Sequence, residues 1–388
     1  MNSIRIIRRL ALVLPLGVGS AAAQPRLEHI ENLGEALFFD VDLSRNRTQS
    51  CATCHAPDNG FTDIRVNASG RAYSLGDDGH SLGDRNAPTL GYAALTPEFQ
   101  RNRNGEYVGG LFLDGRARDL AEQAGGPPLN PLEMNMPDKA SVVERLRENP
   151  AYREAFPRLF GDGVLEDPEL AYRAMTLSIA AFEQGDAFAP FDSKYDRHLK
   201  GEATLTAQEQ LGMTLFFSQQ FSNCNLCHQL KPIPESAAEP FTNYSYHNIG
   251  TPIHVAGRQA NGLGKNHRDR GLLDNPRVDD PRQAGKFKVP TLRNVAVTGP
   301  YMHNGVFRDL RTVVLFYNHY NSKSASRQIN PETGASWGDP EVGENLSIKE
   351  LETGPALNKR EIDALVAFLE TLTDRRHEAL LKSREAAQ

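Results

Sequence analysis

Apolar positions along this chain recur mostly at helical spacing, and polar capping residues stand where such helices begin. Ile362, Leu365, Val366 and Leu369 form one stripe, preceded by Asn358 and Glu361, which suit an N-terminal cap. Leu310, Val313, Val314 and Tyr317 form another at i, i+3, i+4 and i+7, with Asp309 in the capping place and Tyr317 on the face expected to be buried. Thr206-x-x-Glu209 and Ser141-x-x-Glu144 are capping-box starts for two further helices. Strand-type alternation is weak, and stretches such as Gly125-Gly126-Pro127-Pro128 read as irregular loop. The pattern predicts an all-α chain with long irregular loops.

Part of this pattern occurs twice. Leu33-Gly34-Glu35-Ala36-Leu37-Phe38-Phe39 is echoed by Leu211-Gly212-Met213-Thr214-Leu215-Phe216-Phe217. Ala87-Pro88-Thr89-Leu90 is echoed by Val289-Pro290-Thr291-Leu292, and Asp114-Gly115-Arg116-Ala117-Arg118-Asp119-Leu120 by Asn304-Gly305-Val306-Phe307-Arg308-Asp309-Leu310. Three echoes in one order point to two related domains, expected over residues 24–188 and 189–388.

Each domain carries one string that supplies chemistry: Cys51-Ala52-Thr53-Cys54-His55 and Cys224-Asn225-Leu226-Cys227-His228 use all four cysteines. Both are c-type haem attachment sequences, in which Cys51, Cys54, Cys224 and Cys227 form thioethers and His55 and His228 reach the two irons. A zinc site from two Cys-x-x-Cys pairs fits less well, because such pairs usually lie ~15–20 residues apart. Here 169 residues intervene, and each pair has its own histidine. A disulfide framework needs dense cysteine in a short chain. The expectation is two cytochrome c-like domains with two covalently bound haems.

The N-terminus fits export. Arg5, Arg8 and Arg9 precede the apolar run Leu10 to Val18 and the small residues Ala21-Ala22-Ala23, so residues 1–23 read as a signal peptide. The run is shorter than the ~20 residues a membrane span needs, and no later segment supplies one. A periplasmic location follows, where c-type haem attachment is completed. Removing residues 1–23 leaves 40 basic against 49 acidic side chains, a balance that argues against nucleic acid.

Function then depends on the far side of each iron. Aligning the Asp-Leu pairs of the third echo sets Leu310 plus seven, Tyr317, against Leu120 plus seven, Pro127. One haem would have an oxygen ligand within reach and the other a residue that cannot ligate. By spacing alone Tyr317 is an ordinary core aromatic, and Met302 and His303 are the more obvious ligand types. Near the first motif, His80 is a loop histidine that tends to be solvated.

Several longer motifs decide between these readings by resemblance. They are Ser50-Cys51-Ala52-Thr53-Cys54-His55, Asp84-Arg85-Asn86-Ala87-Pro88-Thr89-Leu90, Leu129-Asn130-Pro131-Leu132-Glu133-Met134, Phe191-Asp192-Ser193-Lys194-Tyr195-Asp196 and Thr298-Gly299-Pro300-Tyr301-Met302-His303-Asn304-Gly305. Through them the chain resembles the bacterial dihaem cytochrome c peroxidase superfamily over essentially its whole mature length. Ordinary members have a methionine ligand 14 positions after the counterpart of His303; here that position is Tyr317, as in the methylamine-utilisation branch. The resemblance therefore implies Tyr317 as a ligand of the second haem iron. A thioether favours reduced iron, whereas a phenolate stabilises higher charge. Many peroxidases also carry a switchable histidine after a Ser-x-Gly string; here Ser74-Leu75-Gly76 is followed by Asp77, which implies a first haem open to peroxide.

The same resemblance implies Glu133 as the acid/base that moves a proton between the peroxide oxygens, Gln123 as a second polar pocket residue and Pro127 as a wall. It implies a calcium ion between the haems, held at Asn86, Thr298 and Pro300 through the oxygen ligands that suit a hard cation. The implied function is a periplasmic dihaem oxidase. It uses hydrogen peroxide, or dioxygen plus electrons, to reach a high-valent state shared by both haems. Its protein substrate would be precursor methylamine dehydrogenase, whose tryptophans become tryptophan tryptophylquinone. One rival is peroxide reduction with a cytochrome c or cupredoxin donor, and another is a non-catalytic electron carrier. The branch's two relay tryptophans fall on Leu113 and Ser222 here, and Trp337 is the only tryptophan. That departure favours the peroxidase rival; Tyr317 and Asp77 oppose it.

Overall fold

A computed structural model describes residues 27–385 except Pro232, Pro234 and Thr353; the expected signal peptide lies outside the described residues. In the first half, α1 (Ile30–Phe38), α2 (Cys51–Cys54), α3 (Leu120–Ala124), α4 (Lys139–Glu148), α5 (Pro150–Phe160) and α6 (Pro168–Glu183) accompany one apolar cluster whose residues run from Leu27 to Phe188. In the second, α7 (Lys194–Leu199), α8 (Ala207–Phe217), α9 (Val255–Ala260), α10 (Leu310–His319), α11 (Ile348–Leu351), α12 (Lys359–Glu370) and α13 (Glu378–Glu385) accompany another, from Tyr195 to Leu372. The named strands are two-residue pairs: β1 (Gln100–Arg101) runs antiparallel to β2 (Tyr107–Val108), and β3 (Tyr246–His247) to β4 (Phe287–Lys288). The class is all-α, with long loops between helices.

The duplication is visible in the packing. α1 crosses α6 at Gly34, where a Cβ would collide with the Ser178 carbonyl and Phe182; α8 crosses α12 at Gly212, where it would collide with the Ala364 carbonyl and Phe368. Only glycine lets each backbone pair approach this closely. Phenylalanines fill the space beside both crossings: Phe38, Phe182 and Phe188 in one half, Phe216, Phe241 and Phe368 in the other. Each fully buried ring contributes about 1.5–3 kcal/mol, and each ring pair about 0.5–1.5 kcal/mol more.

Capping follows the sequence at three of the four predicted starts. Thr206–Glu209 and Asn358–Glu361 form complete capping boxes, and Asp309 accepts the Thr312 amide at 3.1 Å. The fourth start is corrected: α4 begins at Lys139, with Asp138 Oδ1 accepting the Ser141 amide at 2.7 Å. Ser141 is thus the third helical residue, and a carboxylate takes the capping role because it accepts a helix-terminal N–H more strongly than a hydroxyl.

The stripe of α10 lies against the second apolar cluster, as Val313 and Val314 show, and the helix is covered on its other sides too. Its deepest residues are Leu310, Thr312, Phe316 and Asn318, while Val313, Val314 and Tyr317 are half-buried. Two contacts hold the helix in place. Phe316 packs on Phe307 and Trp337 at 5.1 and 5.5 Å, and Asn318 exchanges hydrogen bonds with the Leu357 backbone at 3.1 and 2.7 Å.

Charged groups join sequence-distant segments. Arg85 forks onto Asp269 at 2.6 and 2.7 Å and reaches Asp114 at 2.6 Å, while the fully buried Arg258 holds Glu341 at 3.1 Å. Asp374 accepts from Tyr92 and Asn294 at 2.5 and 2.7 Å. Buried ion pairs are poor sources of net stability, but breaking one partner leaves an uncompensated charge.

Candidate dihaem site

Each Cys-x-x-Cys-His string folds into one tight turn. Ser50 and Thr53 form a capping box for α2, and the His55 amide donates to the Cys51 carbonyl at 2.9 Å. The second string makes a 3₁₀ turn instead, yet the His228 amide donates to the Cys224 carbonyl at the same 2.9 Å. In both, Nδ1 of the histidine meets a backbone carbonyl: Phe61 O at 3.2 Å for His55 and Phe241 O at 3.3 Å for His228. Such a bond fixes the ring and leaves Nε2 to bind metal. Burial lowers both imidazole pKa values, that of His228 to about 4, so both rings are neutral and ready to ligate.

The carbonyl that holds each histidine is itself placed by the repeated Pro-Thr-Leu string. Thr89 Oγ1 donates to Gly60 O at 2.6 Å, one residue before Phe61; Thr291 Oγ1 donates to Pro240 O at 2.7 Å, one residue before Phe241. The sequence echo is a device for orienting the two imidazoles. Four thiols without disulfide partners and two oriented neutral imidazoles make the chemistry of this donor set fit two c-type haems.

The halves diverge beyond the third echo. Asp119 caps α3 as Asp309 caps α10, but α3 ends at Ala124, before Gly125-Gly126-Pro127-Pro128, whereas α10 continues to His319. Pro127 consequently starts a 3₁₀ turn, and the Asn130–Glu133 and Pro127–Met134 backbone bonds fold the next segment back onto Pro127. Gln123 and Glu133 are both half-buried. Desolvation raises the Glu133 carboxyl pKa, with Arg116 and a hydrogen bond from Asn130 opposing it.

Asp77, which stands where the peroxidase pattern has its switchable histidine, is a clamp. Its carboxylate accepts from the Asn46 amide at 2.8 Å and Thr48 Oγ1 at 2.6 Å, and its own amide donates to the Glu133 carbonyl at 2.7 Å. The sequence pointed to Asp77 by its neighbours in the string; its hold on Glu133 was not legible there. His80 lies on the surface turn beyond, its side chain 81% exposed and paired with Asp78 at 3.2 Å.

In the second half Tyr317 lies on the side of α10 toward the second haem string. Burial raises its phenol pKa, and the nearest charge influences come from Cys227 and Cys224. His303 is engaged elsewhere, stacked on Phe287 at 3.7 Å with Nε2 against Glu341 at 3.2 Å. Met302 is packed against the second apolar cluster. The structure also brings Asn86 to the 298–303 loop, its amide donating to the His303 carbonyl at 2.7 Å and its side-chain Nδ2 to Ala72 O at 3.0 Å. Thr298 and Pro300 are half-buried on that loop.

The two positions with no relay tryptophan are ordinary packing sites. Leu113 O accepts the Lys288 amide at 2.9 Å, and Ser222 Oγ donates to Leu215 O at 2.5 Å. Trp337 is buried behind α10 and donates to Arg327 O at 2.9 Å.

These geometries match known proteins. Residues 28–204 match the family model of the di-haem cytochrome c peroxidases. The methylamine utilization protein MauG of Paracoccus denitrificans is 56% identical over 98% of this chain and 97% of its own length. The chain is a MauG-type member of the di-haem cytochrome c peroxidase family. A second MauG, from Methylophilus methylotrophus, is 30% identical over 92% of this chain and 86% of its own. Among solved structures, the diheme peroxidase BthA of Burkholderia thailandensis superposes with a TM-score of 0.78 at 33% identity, covering 90% of this chain and 86% of that one. As a member of the di-haem family the protein is an oxidoreductase with haem cofactors. Among the described residues no helix is long and apolar enough to cross a membrane.

Proposed function

We propose that Cys51 and Cys54 attach one haem with His55 on its iron, and Cys224 and Cys227 the other with His228 and Tyr317 on its iron. The protein acts in the periplasm, after loss of residues 1–23, as a dihaem oxidase that converts tryptophans of precursor methylamine dehydrogenase into tryptophan tryptophylquinone. The residues 24–188 and 189–388 form the two cytochrome c-like domains. One observation carries this reading: α3 stops before Pro127, where its partner helix α10 runs on to present Tyr317.

Two haems, once attached, would supply the redox chemistry for the two oxidising equivalents of hydrogen peroxide. The chain's own residues shape that chemistry. Pro127, which has no side-chain donor, would leave room for peroxide at the haem attached through Cys51 and Cys54. Glu133, whose carboxyl pKa is raised by desolvation, would move a proton from the near to the far peroxide oxygen, and Gln123 would orient the molecule. Asp77 keeps the Glu133 backbone in place without a switch. Tyr317 would offer the second haem a phenolate oxygen, a ligand type that favours the higher charge of oxidised iron. The Asn86 side chain and the Thr298 and Pro300 segment would hold a calcium ion, through oxygen donors of the type a hard cation prefers.

Peroxide reduction with a cytochrome c or cupredoxin donor is the second reading, favoured by Leu113 and Ser222 at the relay positions. One experiment separates the two. Mixed with precursor methylamine dehydrogenase and hydrogen peroxide, the holoprotein is expected to generate quinone absorbance without any added donor. Donor oxidation matching the peroxide consumed, with no quinone, would transfer the assignment to peroxidase.

A further inference from the structure

The inner face of α6 is apolar along most of its length and then ends on Glu183. This side chain is only 3% exposed, and its Oε2 is buried without a hydrogen-bond partner. Burying a polar group unpaired costs free energy, so the position calls for a reason. The internal repeat provides the control. Phe182 lies against Gly34 as Phe368 lies against Gly212, which sets Glu183 opposite Leu369, a buried leucine. Leucine satisfies the packing there, so the carboxyl group is not a demand of the fold.

Its surroundings point to the first haem string. Cys51, Ala52 and Phe182, the residue before Glu183, pack against one apolar cluster, and the charge of Glu183 acts on the Cys51 thiol more strongly than that of Glu133. Charged groups on the helices packed against α6, such as Glu31 and Glu35 of α1, Glu122 of α3 and Arg145 of α4, contribute no shift to Glu183. Burial alone lifts its carboxyl to about 8, so the group is neutral at neutral pH.

We propose that Glu183 is a redox-linked proton carrier for the haem attached at Cys51, protonated while that haem is reduced and ionised once it is oxidised. The proposal rests on the attachment reading above. The step balances simply: one electron leaves the haem for an oxidant, peroxide in turnover or a mediator in the cuvette, and one proton leaves the carboxyl for solvent. No bond to the haem forms or breaks. The carboxylate left behind offsets the positive charge gained, as an opposite charge favours the charged form of its neighbour. The second haem, with Leu369 at the matching place, lacks this group.

The test is a potentiometric titration of the holoprotein between about pH 6.5 and 9.5, a range chosen to span a carboxyl raised by burial. The first haem's potential is expected to fall as pH rises, by up to tenfold in the redox equilibrium constant per pH unit, which for one electron is about 59 mV. Glu183→Gln is expected to hold the low-pH value throughout, Glu183→Leu to behave likewise, and Glu183→Asp to restore a slope. A Gln variant with the parent's slope overturns the proposal. Should the variants fail to fold, redox-difference infrared spectra of the parent decide. Loss of a protonated-carboxyl band on oxidation, retained in Glu133→Gln, supports it; no such band overturns it. Absence of haem at Cys51 by mass is a separate outcome, which refutes the attachment reading instead.

Discussion

The two halves of this protein share a helix crossing at glycine, an imidazole held by a carbonyl, and a threonine that places that carbonyl. They differ in the helix that follows the third repeated string. In the first half five residues of helix give way to Gly125-Gly126-Pro127-Pro128; in the second, ten residues carry Tyr317 past the haem string. Glycine and proline disfavour helix for separate reasons, one through backbone entropy and the other through the missing N–H and steric clash. A short change in helix-forming tendency thus separates a helix that ends before Pro127 from one that carries Tyr317. Duplicated scaffolds can acquire division of labour in this way while the helix crossings stay the same.

Glu133 has no counterpart in that comparison, because it sits on the segment that folds back after the broken helix. Its removal is the largest effect expected. Glu133→Gln should slow the reaction of the holoprotein with peroxide by about 10²–10⁴-fold, the usual contribution of a positioned acid/base, while both haems stay attached. Stopped-flow mixing with peroxide measures it, and a variant as fast as the parent removes Glu133 from the chemistry.

A smaller effect is expected at Asp77, the clamp found only in the first half. Hydrogen bonds to charged groups are worth roughly 1.5–3 kcal/mol each before compensation, so Asp77→Ala should destabilise the protein by about 1–3 kcal/mol near neutral pH. The sign with pH follows from the direction of the shift. The folded-state pKa of Asp77 lies below its ordinary value because Thr48, Ser44 and backbone amides bond the carboxylate, against the opposing effect of burial. Its stabilisation is therefore complete above the ordinary carboxylate pKa of about 3.9 and disappears as pH falls through the folded value. Denaturant melts of parent and variant should converge in acid, and a difference that persists or grows there contradicts the clamp.

Much of this architecture was legible before the structure. The haem strings, the three echoes and the caps at Thr206, Asn358 and Asp309 depend on residues close in sequence, where spacing translates directly into geometry. What escaped reading depends on distance or on small energetic margins. Ser141 was expected to cap α4, but Asp138 three residues earlier is the stronger acceptor. The stripe ending in Tyr317 pointed to the buried face, but not to the further hold on α10 by Asn318 and Phe316, whose partners Leu357 and Trp337 lie 20 or more residues away. The bond from Asp77 to Glu133 joins segments 56 residues apart. Glu183 had a faint signal, an acid closing the run Leu177-Ser178-Ile179-Ala180-Ala181-Phe182, whose meaning emerged only when packing set it opposite Leu369.

The central claim is that one duplicated scaffold holds two irons of unlike coordination, His55 alone on the first and His228 with Tyr317 on the second. Electron paramagnetic resonance of the resting ferric holoprotein tests it most directly, with Tyr317→Met measured beside the parent. The account predicts one high-spin and one low-spin ferric signal in equal amounts, with only the low-spin signal changed by the substitution. Two low-spin haems in the parent, or a low-spin signal that Tyr317→Met leaves untouched, would contradict it.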